Sequence, residues 1–66
     1  MTGRQFRAAR VALGLNQKDL SILIGKGWPK GQAYVSDLET GRRPISGKIE
    51  KIVKGLLHDK FNSGAG

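Results

Sequence analysis

The residues of this chain best equipped for chemistry are its cations. Twelve lysines and arginines stand against five acidic residues in 66 positions, a formal net charge of +7. Their placement is uneven. Residues 1–15 hold Arg4, Arg7 and Arg10 and no acid, for +3. Residues 16–41 balance Lys18, Lys26 and Lys30 against Asp19, Asp37 and Glu39. Residues 42–66 set Arg42, Arg43, Lys48, Lys51, Lys54 and Lys60 against Glu50 and Asp59, for +4. Such an excess favours a polyanionic partner, nucleic acid before an anionic membrane surface. On composition alone, a merely soluble basic protein is the alternative. A neutral centre between positive flanks suits nucleic acid, because phosphate contacts position a protein while base contacts specify sequence.

Catalytic chemistry has little to work with. There is no cysteine, so disulfides and thiolate metal sites are excluded. One histidine, His58, cannot assemble a metal cluster alone, and its place near a helix end suits the helix dipole. The chain offers no paired carboxylates in a shared context, no phosphate-cradling glycine motif and no nucleophile with a base beside it. No enzyme, cofactor or small-molecule ligand is expected. No apolar run reaches membrane-spanning length and no signal-peptide pattern opens the chain, so a cytoplasmic location is expected.

The elements that must carry these charges are helical. A chain this short buries only about 60% of its unfolded surface, and a helical bundle is the simplest way to enclose a core at this size. Thr2-Gly3-Arg4-Gln5 fits a capping box. Phe6, Ala9, Leu13 and the neighbouring Arg10 follow on one face. Gly14 supplies a left-handed stop, with Leu15 as its apolar companion. Asn16 is an N-cap, with Asp19 in the positive first turn of a second helix. Leu20, Ser21 and Ile24 face inward there, and Gly25 closes it. Ser21 marks a close helix crossing, its hydroxyl satisfied on the preceding turn.

Lys26 to Gly31 reads as a loop, since two glycines and Trp28-Pro29 exclude a regular helix. Gln32 to Thr40 forms a third helix with Val35 and Leu38 inward and Gly41 at its end. Arg42-Arg43-Pro44 is a basic, extended connector. Ser46 caps a fourth helix whose apolar stripe is Ile49, Ile52, Val53 and Leu56. Gly55 within it marks either a close contact or early fraying. One domain is expected over residues 1–61, with 62–66 a flexible tail. There are no internal repeats.

Two segments together resemble a known family. Arg10-Val11-Ala12-Leu13-Gly14-Leu15-Asn16-Gln17-Lys18-Asp19-Leu20 is similar to the start of the DNA-binding domains of lambdoid phage repressors and Cro proteins, the XRE type. Val35-Ser36-Asp37-Leu38-Glu39-Thr40-Gly41-Arg42-Arg43-Pro44 is similar to the end of the same unit. The resemblance covers roughly residues 4–57. It implies an all-α bundle of four helices, five at most, containing a helix-turn-helix, with the recognition helix at about 32–40.

The resemblance also implies roles. Gln17 would touch the phosphate backbone and brace the recognition helix, as an amide at a helix N-terminus can; the alternative is a polar residue that tolerates an exposed first turn. Gln32, Ala33 and Asp37 would face bases: Gln32 toward adenine, Ala33 toward a thymine methyl, Asp37 toward a cytosine amino group. A solvated or ion-paired Asp37 stands equally open. Asn16, Lys18, Lys30, Tyr34, Ser36, Arg42 and Arg43 would contact the DNA backbone, with surface solubility the alternative for the two arginines. Arg10 and Glu39 match a partly buried ion pair between helices one and three.

Three departures matter. The turn is longer than usual by about one helical turn's worth of residues, approximately Lys26-Gly27-Trp28-Pro29, so Lys26 and Trp28 could reach DNA or pack. Ile22 and Leu23 are apolar on helix two, either covered by Trp28 or forming a protein-contact patch. The fifth helix that often builds a dimer is missing, leaving Leu57 and Phe61. The expected function is a sequence-specific regulator of double-stranded DNA, Cro-like or repressor-like, from a phage or mobile element, plausibly a homodimer on its operator and nucleoid-associated when bound. The alternatives are an antitoxin or other protein-binding module on the same fold, through Ile22, Leu23 and Trp28, and a membrane-surface peptide using helix four.

Overall fold

Thr2 and Gln5 open the first helix reciprocally. The Gln5 N–H donates to Thr2 Oγ1 at 3.1 Å, and the Thr2 N–H donates to Gln5 Oε1 at 2.8 Å. A computed structural model describes residues 1–27 and 29–62 of the chain. Among them are four helices: α1 (Gly3–Ala12), α2 (Gln17–Leu23), α3 (Lys30–Thr40) and α4 (Gly47–Asn62). Asn16 Oδ1 caps α2 by accepting from the Asp19 N–H at 2.7 Å. Ser46 Oγ accepts from the Ile49 N–H at 3.2 Å at the start of α4. Past α1, the N–H groups of Gly14 and Leu15 donate back to Val11 and Arg10 carbonyls; this six-to-one and five-to-two pairing satisfies the helix's last orphan acceptors.

The apolar face of each helix meets in one core of Phe6, Ala9, Leu20, Ile24, Val35, Leu38, Ile49 and Val53. α3 packs against both α1 and α2, and α4 lies on α1. Ile49 and Val53 of α4 lie in that core, and Ile52, Leu56 and Leu57 pack against it. No described helix is long and apolar enough to cross a membrane. Lys60 reaches back to donate to the Ala12 carbonyl at 2.7 Å, a cation at the α1 C-terminus. A Cβ on Gly55 would meet nothing within 4 Å, so no close contact explains that glycine. Asn62, placed in the tail by sequence, is the last residue of α4, and its amide donates to the His58 carbonyl.

The start of α3 also differs from the sequence reading. Lys30 and Gly31, expected in the loop, form the first turn of α3. Pro29 precedes that turn, where its missing N–H costs no helical bond. The Gly31 N–H donates to the Gly27 carbonyl and the Gln32 N–H to the Pro29 carbonyl at 3.1 Å, closing the turn. The segment between α2 and α3 is thus residues 24–29, longer than the usual three- or four-residue turn. The expectations for Trp28, and for residues 63–66 of the tail, lie outside the described residues.

Gly31 is in the helix because α2 and α3 touch there. A Cβ on Gly31 would stand 2.6 Å from Ser21 Cβ and 2.8 Å from Ser21 Oγ. Ser21 itself is fully buried, and its hydroxyl donates to the Lys18 carbonyl at 2.6 Å. The small pair Ser21–Gly31 sets the crossing distance of the two helices. Gly3 does the same for α1, since a Cβ there would lie 2.6 Å from the Glu39 carbonyl oxygen and 2.7 Å from that of Leu38.

Glu50 ties α4 to the N-terminus. Its Oε1 lies 2.7 Å from the Met1 ammonium and 3.9 Å from Lys54 Nζ. The ammonium's hydrogen bond, then the Lys54 charge, hold the Glu50 carboxyl below its ordinary value of 4.5.

Two outcomes follow from this packing. Gly31→Ala should lower stability by about 1–3 kcal/mol through overpacking, read by urea denaturation, and adding Ser21→Gly should recover part of that loss. An unchanged midpoint in the single variant would show that Ser21 and Gly31 do not set the crossing. For Glu50, a carboxyl depressed in the folded state contributes stability above its unfolded pKa and loses it as pH falls through the folded value. Glu50→Gln should therefore lower Tm modestly at neutral pH and flatten its decline between about pH 6 and about pH 3, the two proteins converging at the acid end.

Candidate nucleic-acid interface

The rotation of α3 about its axis is set by its buried stripe of Gly31, Val35 and Leu38. Residues at a spacing of four and three share one helical face, so the opposite face is presented outward. Gln32, Ala33 and Thr40 are exposed there, and Ser36 and Asp37 are half-buried. The two flanks of this outer face are held by different partners.

On the flank toward α2, a chain of polar contacts runs from the interior to the surface. Arg10 Nε donates to Glu39 Oε2 at 2.7 Å, with side-chain exposures of 15% and 5%. Arg10 Nη1 also donates to the Leu15 carbonyl at 2.9 Å, and Nη2 to Glu39 Oε1 at 3.4 Å. Gln17 Nε2 donates to that same Glu39 oxygen at 3.3 Å. Gln32 Nε2 then approaches Gln17 Oε1 at 3.5 Å. Among the described residues, every buried side-chain nitrogen and oxygen has a hydrogen-bond partner.

On the other flank, Arg43 folds back from the connector. Its Nε lies 3.4 Å from Asp37 Oδ2, and its N–H reaches the Asp37 carbonyl at 3.3 Å. Its guanidinium carbon lies 5.4 Å from the Tyr34 ring centroid, and Lys26 Nζ lies 4.5 Å from the same ring. Between the flanks is an exposed helix face bordered by amides on one side and cations on the other. That arrangement suits a polyanion bearing hydrogen-bonding base edges.

A helix-turn-helix family model matches residues 6–56 of the chain. The protein belongs to the helix-turn-helix family. It is a DNA-binding regulator with a Cro/repressor-like domain. The family is a regulatory one, not an enzymatic one. No curated protein and no solved structure matches the chain significantly.

The helix-turn-helix places the residues singled out by sequence in three groups. Gln32 and Ala33 are exposed on the outer face of α3, while Asp37 is turned toward Arg43. Asn16, Gln17 and Lys18 gather at the N-terminus of α2, where Asn16 Oδ1 is engaged in capping. Lys30, Tyr34 and Arg43 share a groove with Lys26. Ser36 is half-buried, with its carbonyl accepting from Thr40 Oγ1 at 3.0 Å, and Arg42 is exposed. Arg10 and Glu39 stand apart from these groups, beneath the surface.

The resemblance implies that Gln17 braces α3, but sequence reasoning identified neither Glu39 as its partner nor the meeting of Tyr34 with two cations. Neither leaves a local signal, since Gln17 and Glu39 are 22 positions apart. It also missed Gly3, whose small size is needed only because the α3 carbonyls lie against it.

Glu39 is the joint through which Arg10 and Gln17 hold α3. Arg10→Met should cost about 3–5 kcal/mol by leaving a buried carboxylate underpaired, measured by chemical denaturation. The double variant Arg10→Met with Glu39→Leu should regain most of it. A loss under about 1 kcal/mol in the single variant would mean that exposed packing, not this pair, joins the helices.

Proposed function

We propose that this protein is a sequence-specific regulator of transcription that lays α3 in the major groove of double-stranded DNA. The observation that carries this reading is the exposed outer face of α3, held in rotation by its buried stripe and braced by the Gln32–Gln17–Glu39 contacts. Gln32 reads adenine through its amide, Ala33 meets a thymine methyl, and Asp37 accepts from a cytosine amino group. Asn16, Gln17 and Lys18 meet one phosphate stretch at the α2 N-terminus, where unpaired backbone N–H groups add to the side chains. Lys30, Tyr34, Ser36, Arg42 and Arg43 meet the backbone on the other side of α3.

The protein acts in this reading as a Cro-like or repressor-like switch of a phage or mobile element, in the cytoplasm on the nucleoid. It binds as a homodimer, with Phe61, 65% exposed near the end of α4, the apolar residue available to a second copy. Leu57, the other candidate for that contact, packs against the core instead.

One observation supports a second reading, a protein-binding module such as an antitoxin. Ile22 and Leu23 are 54% and 49% exposed side by side on α2. A partner protein covering them would remove an apolar patch from water.

Selection of bound sequences from a random duplex pool at about 150 mM salt separates the two, since that salt suppresses purely electrostatic binding. A palindrome with half-sites about 10 bp apart is the expected result. A single non-palindromic site would keep the reading function and remove the dimer. Recovery of no motif would reject sequence-specific regulation and favour the protein-binding module.

A further inference from the structure

The lengthened turn does more than space two helices. We propose that Lys26, from that turn, joins Tyr34 and Arg43 to form a seat for one backbone phosphate of duplex DNA; this rests on the reading of α3 as a DNA-binding helix.

The seat is a groove of about 250 Å³ on the flank of α3 away from Gln17. Lys26 and Arg43 come from opposite ends of α3, the turn before it and the connector after it, and both stand against the Tyr34 ring. A ring face attracts each cation through its quadrupole, but it does nothing to relieve their mutual repulsion. Lys30 lines the same groove and adds a third positive charge. Against these stands one carboxylate, Asp37, which contacts Arg43 at 3.4 Å. The groove therefore holds two more positive charges than negative ones, clustered where an anion with several acceptor oxygens would bridge them.

The position selects the anion. Ala33 and Asp37 line the groove and also belong to the outer face of α3. A duplex lying along that face would bring its sugar-phosphate strand to the groove's edge. Lys26 reaches the groove because Gly31 has no side chain; a Cβ there would lie 3.1 Å from Lys26 Cβ. Asp37 aims Arg43 at the seat and offsets part of its charge.

Phosphate contacts are read by the salt dependence of binding, because each neutralised phosphate contributes about 0.9 to the slope of log K against log salt. The measurement uses the full chain with a random-sequence 20-bp duplex, together with any duplex recovered by selection. Lys26→Gln should lower the slope by about 1 and weaken binding similarly on all sequences, with Tm unchanged. Lys51→Gln, which removes an exposed charge on α4, should leave the slope as it is. Equal changes in both variants, or no change in Lys26→Gln, would overturn the seat while leaving DNA binding intact. A wild-type chain that binds no duplex even at about 50 mM salt would overturn the seat and the DNA reading together. Inorganic phosphate provides a separate arm. Binding of phosphate that depends on Lys26, without a change in the DNA slope, would replace the seat by a free-anion site.

Discussion

The ion pair between Arg10 and Glu39 is the constraint on which the arrangement of the helices turns. Glu39 sits in the last turn of α3 and is almost fully covered; Arg10 sits in the last turn of α1. Charges removed from water need their hydrogen bonds completed, because the desolvation penalty otherwise exceeds the attraction. The structure completes them. Arg10 Nη1 donates to the Leu15 carbonyl, just past the end of α1, and Glu39 accepts from Gln17, the first residue of α2. Four segments of chain are thereby referred to one point. A helix that shifted by one residue would leave a charge unpaired, so the pair acts as a register for α1, α2 and α3 more than as a source of net stability.

Around that point the apolar core determines how closely the helices approach. Phe6, Leu20, Val35 and Leu38 are fully buried and supply the bulk. Where bulk is impossible, Gly3 lies against the α3 carbonyls and Gly31 against Ser21. Glycine inside a helix costs about 1 kcal/mol relative to alanine, and here the closer approach offsets it. Both devices act on α3, holding its inner face to α1 and α2 and leaving its outer face free for a ligand.

Charge is distributed to match. Residues 16–41 are neutral overall, and the cations beside the outer face of α3 come from the turn before it, its first residue and the connector after it. Asp37, the residue least suited to a phosphate neighbourhood, is paired with Arg43, so neither charge stands alone on the outer face. This arrangement keeps long-range attraction to a polyanion while the outer face of α3 itself carries little net charge.

Local chemistry made much of this legible before any coordinates. Capping by Thr2 with Gln5, by Asn16 and by Ser46 depends on residues three apart, so helix starts could be read directly. The inward set Phe6, Ala9, Leu20, Ser21, Val35, Leu38, Ile49 and Val53 follows from periodicity, because burial needs only one apolar face. The start of α3 was misread, since Pro29 and Gly31 have poor helix propensity and only the contact with Ser21 explains a glycine inside the first turn. The bond from Gln17 to Glu39, the pairing of Asp37 with Arg43 across a helix end, and the meeting of Lys26 and Arg43 at Tyr34 belong to the tertiary structure alone. A sequence determines which residues can cap, turn or bury, because those preferences act over a few positions. Which polar side chains meet depends on how the helices cross, and that is decided only when the core closes.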